Sequence, residues 1–389
     1  MRVSPTRSRT DSRSAVLRVL GLGLVAVIGI TACGDDTKPS AASTAGTTAS
    51  PGTTASAESA ASTTPTDATA HVAGATTPAP EASVELPAAE LSLVAYSTPQ
   101  AAYEEIIKAF NATTQGKNIT FTQSYGASGD QSRAVVAGLS ADYVAFSLEP
   151  DVTRLVKEGI VAEDWNTDAH AGNVTDSVVV LVVRKGNPKG IKGWADLTKP
   201  GVEVITANPF TSGGARWNVM AAYGQIIKNG GTEADGVAYL KALFKNVPVQ
   251  DDSARKSLAT FTAGKGDVLL AYENEAIFAQ QKGQDIDYVV PDSTILIENP
   301  VAVTASTTHP DQAKAFLDFV RTPEAQKIFA ANGYRPVIDG VESPYDFPAP
   351  AGLFTIADLG GWSDVTKKFF DPKGSVMADV ETGIGVSVG

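Results

Sequence analysis

From Leu91 onward the chain alternates short apolar runs with stretches of helical periodicity, and that alternation limits the fold more than any other feature. Residues 91–96 (LSLVAY) read as a buried strand. Pro99 then opens a helical stretch to Phe110, with apolar Tyr103, Ile106, Ile107 and Phe110 recurring on one face. Residues 119–124 alternate as a strand, the turn Gly126-Ala127-Ser128-Gly129 follows, and a helix is expected over 131–139. Residues 143–147 form another short apolar strand, and 177–183 (SVVVLVV) is the strongest strand of all. Strands at 202–207, 268–272, 288–290 and 301–303 continue the series, with helices at 215–228, 233–245, 255–264 and 311–319 between them. Such alternation predicts an α/β fold with mainly parallel sheets. The folded part is longer than one such sheet usually holds, so two lobes are expected. No internal repeat is visible, and 346–389 is a C-terminal extension whose packing the pattern does not define.

The N-terminus reads as an address. Arg2, Arg7, Arg9, Arg13 and Arg18 precede a run of 14 uncharged residues, 19–32. A spanning helix needs roughly 18 to 20 apolar residues, so the run suits a signal-peptide core, and 1–32 is expected to be removed. The run ends Ile30-Thr31-Ala32-Cys33, which resembles a bacterial lipobox, and Cys33 would become the lipid-carrying first residue. Ordinary cleavage that leaves a buried free thiol is the alternative. Residues 33–88 are rich in Ala, Ser, Thr and Pro and nearly free of large apolar groups. Such a segment cannot bury enough surface to offset its chain entropy, and it reads as a flexible tether between membrane and folded body.

Charge narrows the partners. Lys and Arg number 31 against 43 Asp and Glu, a net charge of −12, and removing 1–32 makes it −16. Nucleic acid is excluded as a partner, because it calls for a basic face. One cysteine rules out a disulfide scaffold. Three scattered histidines, His71, His170 and His309, argue against a His-built metal site, and no cofactor is expected. Ser128 stands in Gly126-Ala127-Ser128-Gly129, where glycine falls at +1 rather than +2 of the serine, so the nucleophile elbow G-x-S-x-G is not present there. The chain is therefore not read as an enzyme. Glu273 and Glu275 look like an acid pair on one face of a strand end, but no matching nucleophile or histidine accompanies them.

Four expected strand-to-helix turns carry small or hydroxyl residues: Tyr96-Ser97-Thr98-Pro99, Ser124 to Gly129, Thr211-Ser212-Gly213-Gly214 and Ser253-Ala254-Arg255. Each by itself is an ordinary cap. Together they offer amides at helix N-termini, which favour an anion. The adjacent glycines 213 and 214 let backbone N–H groups converge without Cβ obstruction. In α/β folds such turns lie at the strand ends where ligands sit.

Five longer stretches carry a resemblance: NPFTSGGARWN (208–218), RKGNPKGIKGWADLTKPGVEVIT (184–206), DVLLAYENEA (267–276), YGASGDQ (125–131) and LFTIADLGGW (353–362). From about residue 91 to 370 the chain resembles the sulfate/thiosulfate-binding proteins of bacterial ABC importers. The resemblance implies a two-lobed periplasmic-binding-protein fold of type II, each lobe a mostly parallel sheet flanked by helices, closing on a dehydrated tetrahedral dianion. Lobe I is expected at 89–180 and 287–345 and lobe II at 181–286, with crossings near 178–183 and 276–290. The family pattern implies backbone N–H bonds to the anion from Ser97, Ser128, Gly213, Gly214 and Ala254, and a hydroxyl bond from Ser212. A tryptophan completes the family's set, and Tyr272 stands at that position. Ser97 replaces the family's usual Asp, and Asp130 stands where a Lys is typical. The family leaves arginines outside the anion shell, so Arg216 and Arg255 are expected to steady loops through ion pairs. The partners implied are sulfate or thiosulfate, the permease subunits and, through Cys33, a membrane. The chain is expected to be a monomer in the cell envelope, on the outer face of the plasma membrane or in the periplasm. A receptor for phosphate or molybdate, or an oxyanion-sensing surface lipoprotein, is the alternative.

Overall fold

The computed structural model describes residues 84–386 and 388. The signal segment 1–32, the acceptor Cys33 and the tether up to residue 83 lie outside the described residues. In chain order, β1 (Ala89–Tyr96), α1 (Gln100–Asn111), β2 (Ile119–Gly126), α2 (Ser128–Val136), β3 (Tyr143–Ala145) and α3 (Glu149–Lys157) come first. β4 (Asn173–Arg184) and β5 (Val204–Ala207) lead to α4 (Gly213–Lys228) and α5 (Glu233–Phe244). Next are β6 (Val249–Asp251), α6 (Ala254–Thr262), β7 (Val268–Tyr272), α7 (Glu273–Gln281), β8 (Ile286–Val289) and β9 (Ser293–Val303). After α8 (Pro310–Phe319) and α9 (Pro323–Ala331), the chain ends with β10 (Arg335–Pro336), β11 (Gly352–Phe354), α10 (Gly361–Phe370) and α11 (Val376–Gly383). No helix among the described residues is long and apolar enough to cross a membrane.

The strands run in the order β2-β1-β3-β9-β4-β7-β5-β6. β1 pairs in parallel with β2 and β3, and β5 in parallel with β6 and β7. β9 and β4 lie antiparallel to these sets and to each other. The fold is thus mixed α/β, with two parallel groups joined through an antiparallel centre. Both central strands change partners along their length. β4 pairs with β9 over Asn173–Val178 and with β7 over Val179–Val183, while β8 flanks it on the other side over Leu181–Arg184. β9 pairs with β11 over Ser293–Ile295, with β4 over the next residues and with β3 over Val301–Val303.

Side-chain alternation explains why β4 is wholly apolar. Val178, Val180 and Val182 point into one core with Leu258, Phe261 and Leu269, while Val179, Leu181 and Val183 point into another with Trp217, Trp194 and Leu240. A strand buried on both faces reads as a continuous apolar run. β1 does the same at the other end of the sheet. Leu91, Leu93 and Ala95 enter a core with Tyr103, Phe110 and Phe316, and Val94 enters another with Val144 and Phe146. The C-terminal helices belong to the Trp217 core: Trp362 meets Trp217 edge-on at 4.7 Å and Phe369 meets Tyr223 at 4.7 Å.

One local expectation is corrected. Tyr272 ends β7 and is itself the N-cap of α7, so Glu273 and Glu275 occupy a first helical turn rather than a strand end. Residues two apart on a helix do not face each other. Each carboxylate accordingly has its own cation, Glu273 with Arg335 at 2.8 Å and Glu275 with Arg255 at 2.7 Å.

Asp176 on β4 sits directly opposite Glu298 on β9. Burial, reinforced by the Glu298 charge, pushes its carboxyl up to about 7, with Arg335 pulling weakly the other way. A raised folded-state value means that the protonated acid fits the fold. The site's contribution to stability is therefore fully present below about pH 4, the unfolded value, and is lost as pH rises through 7. Asp176→Asn should therefore melt above wild type at pH 8 and close to it at pH 4. Thermal midpoints at the two pH values check this, and an equal gap at both would contradict it.

Candidate functional site

Each turn singled out in the sequence follows the C-terminal end of a strand, and the fold brings these ends to one place. A single small cavity is lined by Tyr96, Ser97, Thr98, Ala127, Ser128, Ser147, Ser212, Gly213, Gly214, Ala254 and Tyr272. All seven candidate residues, Ser97, Ser128, Ser212, Gly213, Gly214, Ala254 and Tyr272, are among them. The centre of a water molecule can reach about 10 Å³ of it, roughly room for one water. None of these lining residues bears a charge.

The donors come from helix starts. Ser128 opens α2, Gly213 and Gly214 open α4, and Ala254 opens α6. The first N–H groups of a helix have no partner within it. Among the described residues, the amides of Ser97, Ser128, Gly213, Gly214 and Ala254 donate to no other group. Ser212 is the N-cap of α4, and its Oγ accepts from the Ala215 amide at 3.3 Å. That bond uses a lone pair, so the hydroxyl proton is free to donate elsewhere. The glycines are required sterically. A Cβ on Gly213 would stand 2.5 Å from Leu148 Cδ2 and 2.6 Å from Ser147 Oγ, and one on Gly214 would stand 3.3 Å from Ala254 Cβ.

Sequence reasoning misses Ser147, which is 1% exposed and sits just past the end of β3. Its amide donates to Ser128 Oγ at 3.0 Å, and its carbonyl accepts from Trp217 Nε1 at 2.8 Å and from Asn299 Nδ2 at 3.1 Å. Its hydroxyl meets the Tyr272 hydroxyl at 2.6 Å. The rule that ligands gather at strand C-termini could have found it, but no glycine or helical cap marks the position.

Charges stand one layer out. Ser128 Oγ donates to buried Asp151 at 2.6 Å, and Asp151 is paired with Arg154 at 2.9 Å. Asp130 pairs with Arg133 and is half exposed, outside the cavity lining. Asp252 likewise pairs with Lys256. Arg255 holds Glu275 with two bonds and donates to the Thr98 carbonyl at 2.7 Å, the ion pair expected of it. Arg216 differs from that expectation: it donates to the Pro209 carbonyl and lies over the Phe370 ring, with no carboxylate partner among the described residues. No cluster of His, Cys, Asp or Glu that could hold a metal ion occurs among the described residues.

Comparison with known proteins then places the chain. The family described as bacterial extracellular solute-binding protein matches residues 91–335. A sulfate-binding protein of Synechococcus elongatus is 47% identical over 296 residues, which are 73% of this chain and 85% of that protein. The chain belongs to the sulfate- and thiosulfate-binding family of bacterial solute-binding proteins. A thiosulfate-binding protein of Pseudomonas aeruginosa is 35% identical over 71% of this chain and 88% of its own length. Among solved structures, the sulfate-binding protein SubI from Mycobacterium tuberculosis H37Rv has a TM-score of 0.70 at 46% identity, covering 72% of this chain and 99% of that one. Iron-bound HitA from Pseudomonas aeruginosa, 20% identical with a TM-score of 0.57, shares the fold. As a member of this binding-protein family, the chain has relatives named for what they bind rather than for a reaction.

Burial pushes the Tyr272 phenol well above its ordinary value; Tyr96 adds to the shift, and bonds to Ser147 and Asn299 offset part of it. Tyr96, Tyr103, Tyr143 and Tyr334 are raised for the same leading reason. A raised phenol stabilises the fold below about pH 10, the unfolded value, and that contribution is lost as pH climbs further. Absorbance at 295 nm should therefore show these five of the chain's 10 tyrosines silent near pH 10 and ionising together with unfolding. Smooth titration of all of them at pH 10 in folded protein would contradict the burial described.

Proposed function

We propose that the protein is the substrate-binding component of an ABC importer that captures sulfate, and also thiosulfate, and delivers it to the permease subunits. One observation carries the reading: unpaired amides and hydroxyls from several helix starts converge on a cavity whose lining holds no charge. The names of its relatives support the same ligand class.

The chemistry of the donor set suits a fully ionised guest. Seven donors are available, the amides of Ser97, Ser128, Gly213, Gly214 and Ala254 and the hydroxyls of Ser212 and Tyr272. If Ser147 donates to the Tyr272 oxygen, the phenol proton is free to point at the guest. Hydrogen bonds to a charged group contribute about 1.5 to 3 kcal/mol each, so seven supply about 10 to 20 kcal/mol before desolvation and closure. Micromolar binding needs about 8 kcal/mol. A chain of net charge −12 does not draw anions by its overall field, so the local dipoles must do it. Sulfate near neutral pH carries no proton and needs only donors. Phosphate carries at least one proton, and its hydroxyl would face a donor with no acceptor to receive it, which is costly.

The cavity is about one water in size, so an anion enters only when the walls part. We read β4 and β9 as the hinge, with lobe I around β1–β3 and lobe II around β5–β7, and lobe closure as the whole mechanism. No covalent step is involved. The signal segment, lipid attachment at Cys33 and the 33–88 tether would hold a monomer at the outer face of the plasma membrane or in the periplasm.

Calorimetry on the mature domain near pH 7 should give micromolar or tighter affinity for sulfate, comparable affinity for thiosulfate, and weaker binding of phosphate. Phosphate binding tighter than sulfate would overturn the donor-only argument. Gly213→Asp places bulk against Ser147 and a like charge at the anion seat, and should reduce sulfate affinity more than 100-fold; unchanged affinity would remove this turn from the site.

A further inference from the structure

A second and much larger cavity, about 980 Å³, lies outside the polar pocket, between α3, the 208–211 loop and α10. Its lining carries five cationic side chains against two carboxylates, although the chain as a whole is acidic. Arg216 is its innermost cation. It is only 8% exposed, and one of its N–H groups is engaged, by the Pro209 carbonyl. Its two terminal nitrogens have no partner among the described residues, and no carboxylate lies within ion-pair reach.

A buried guanidinium in that state is unusual, since buried charges are normally paired. Burial, together with the nearby charges of Arg154 and Arg133, weighs against its charged form, with Asp151 offsetting in part. Arg133 and Arg154 also line the cavity, each already holding its own aspartate. Thr366 on α10 lines the same space, with its Oγ1 buried away from the opening. The remaining walls include the rings of Phe210, Trp362 and Phe370.

We propose that this cavity is a second ligand site, separate from the oxyanion pocket, for a small organic anion with one carboxylate or sulfonate head on an apolar body. The head seats on Arg216, whose planar fork matches a carboxylate or sulfonate in two-point fashion. The body lies against Phe370, Trp362 and Phe210. The volume is that of a cavity for a drug-sized molecule, mostly apolar with a few convergent polar groups. An inorganic anion would fill a small part of it and leave the aromatic wall uncovered. The inference does not rest on the sulfate reading, because the two sites share no lining residue.

The probe is 8-anilinonaphthalene-1-sulfonate, titrated by fluorescence into folded protein held in excess inorganic sulfate. One molecule should bind per chain with micromolar affinity and a blue-shifted emission. N-phenyl-1-naphthylamine, the same body without the sulfonate, should bind at least tenfold more weakly. Arg216→Gln should weaken the sulfonate dye at least tenfold while leaving the uncharged dye unchanged. Thr366→Trp, which narrows the cavity and removes no charge, should weaken binding of both at least tenfold, and it carries the test if Arg216→Gln does not fold. Equal affinity for the two dyes, or wild-type dye binding in Thr366→Trp, or displacement of the dye by added sulfate, would overturn the proposal.

Discussion

A backbone N–H without an acceptor is costly wherever water cannot reach it, and this fold gathers five unpaired amides around one small space. Native proteins leave only a few buried polar groups unpaired per 100 residues. The cost is met by the scaffold: each amide belongs to a helix start or strand end fixed by apolar cores on both sides of the sheet. Because the donors are backbone groups, their aim is set by element positions rather than by rotamers. On the proposed reading, that preorganisation would let neutral groups grip a charge once the lobes close, with little side-chain entropy lost on binding.

Ser147 connects the two walls of the space. Every hydrogen-bonding group it owns is engaged: its amide with Ser128, its carbonyl with Trp217 and Asn299, its hydroxyl with Tyr272. It joins the β1–β3 end of the sheet to α4 and to the end of β7, and it sits where a Cβ on Gly213 would fall. The Gly213-Gly214 pair is therefore needed for packing as well as for access to a guest. Any side chain at 213 would strike this serine before it met a ligand.

Much of this was legible in the sequence, for identifiable reasons. β4 betrays itself because both of its faces are buried, and α1 and α8 because one face is. The turns at 97, 128, 212 and 254 are visible as small residues after apolar runs. β9 is the opposite case. Glu298, Asn299 and Pro300 stand in the middle of this central strand and hide it, since its Asn299 is buried by hydrogen bonds to Thr175 and Ser147 rather than by apolar contact. α7 is hidden because it starts directly at the end of β7 with a tyrosine as cap. α10 carries its own helical spacing in Trp362, Val365, Phe369 and Phe370, but the partners of that face, Trp217 and Tyr223, are set only by the assembled fold. Ser147 falls in the same class, because convergence of distant loops is a property of the assembled sheet.

Two fastenings cross between the walls, and neither of their donors, Arg255 and the Gly129 amide, lines the cavity. Arg255 reaches from Glu275 to the Thr98 carbonyl, and the Gly129 amide reaches the Thr211 carbonyl at 3.2 Å. Neither contacts the space where an anion would lie, so neither can tell one guest from another. On the proposed reading they bear on residence, since the longer such latches hold, the slower the escape; choice of cargo and duration of custody would then be written in different residues.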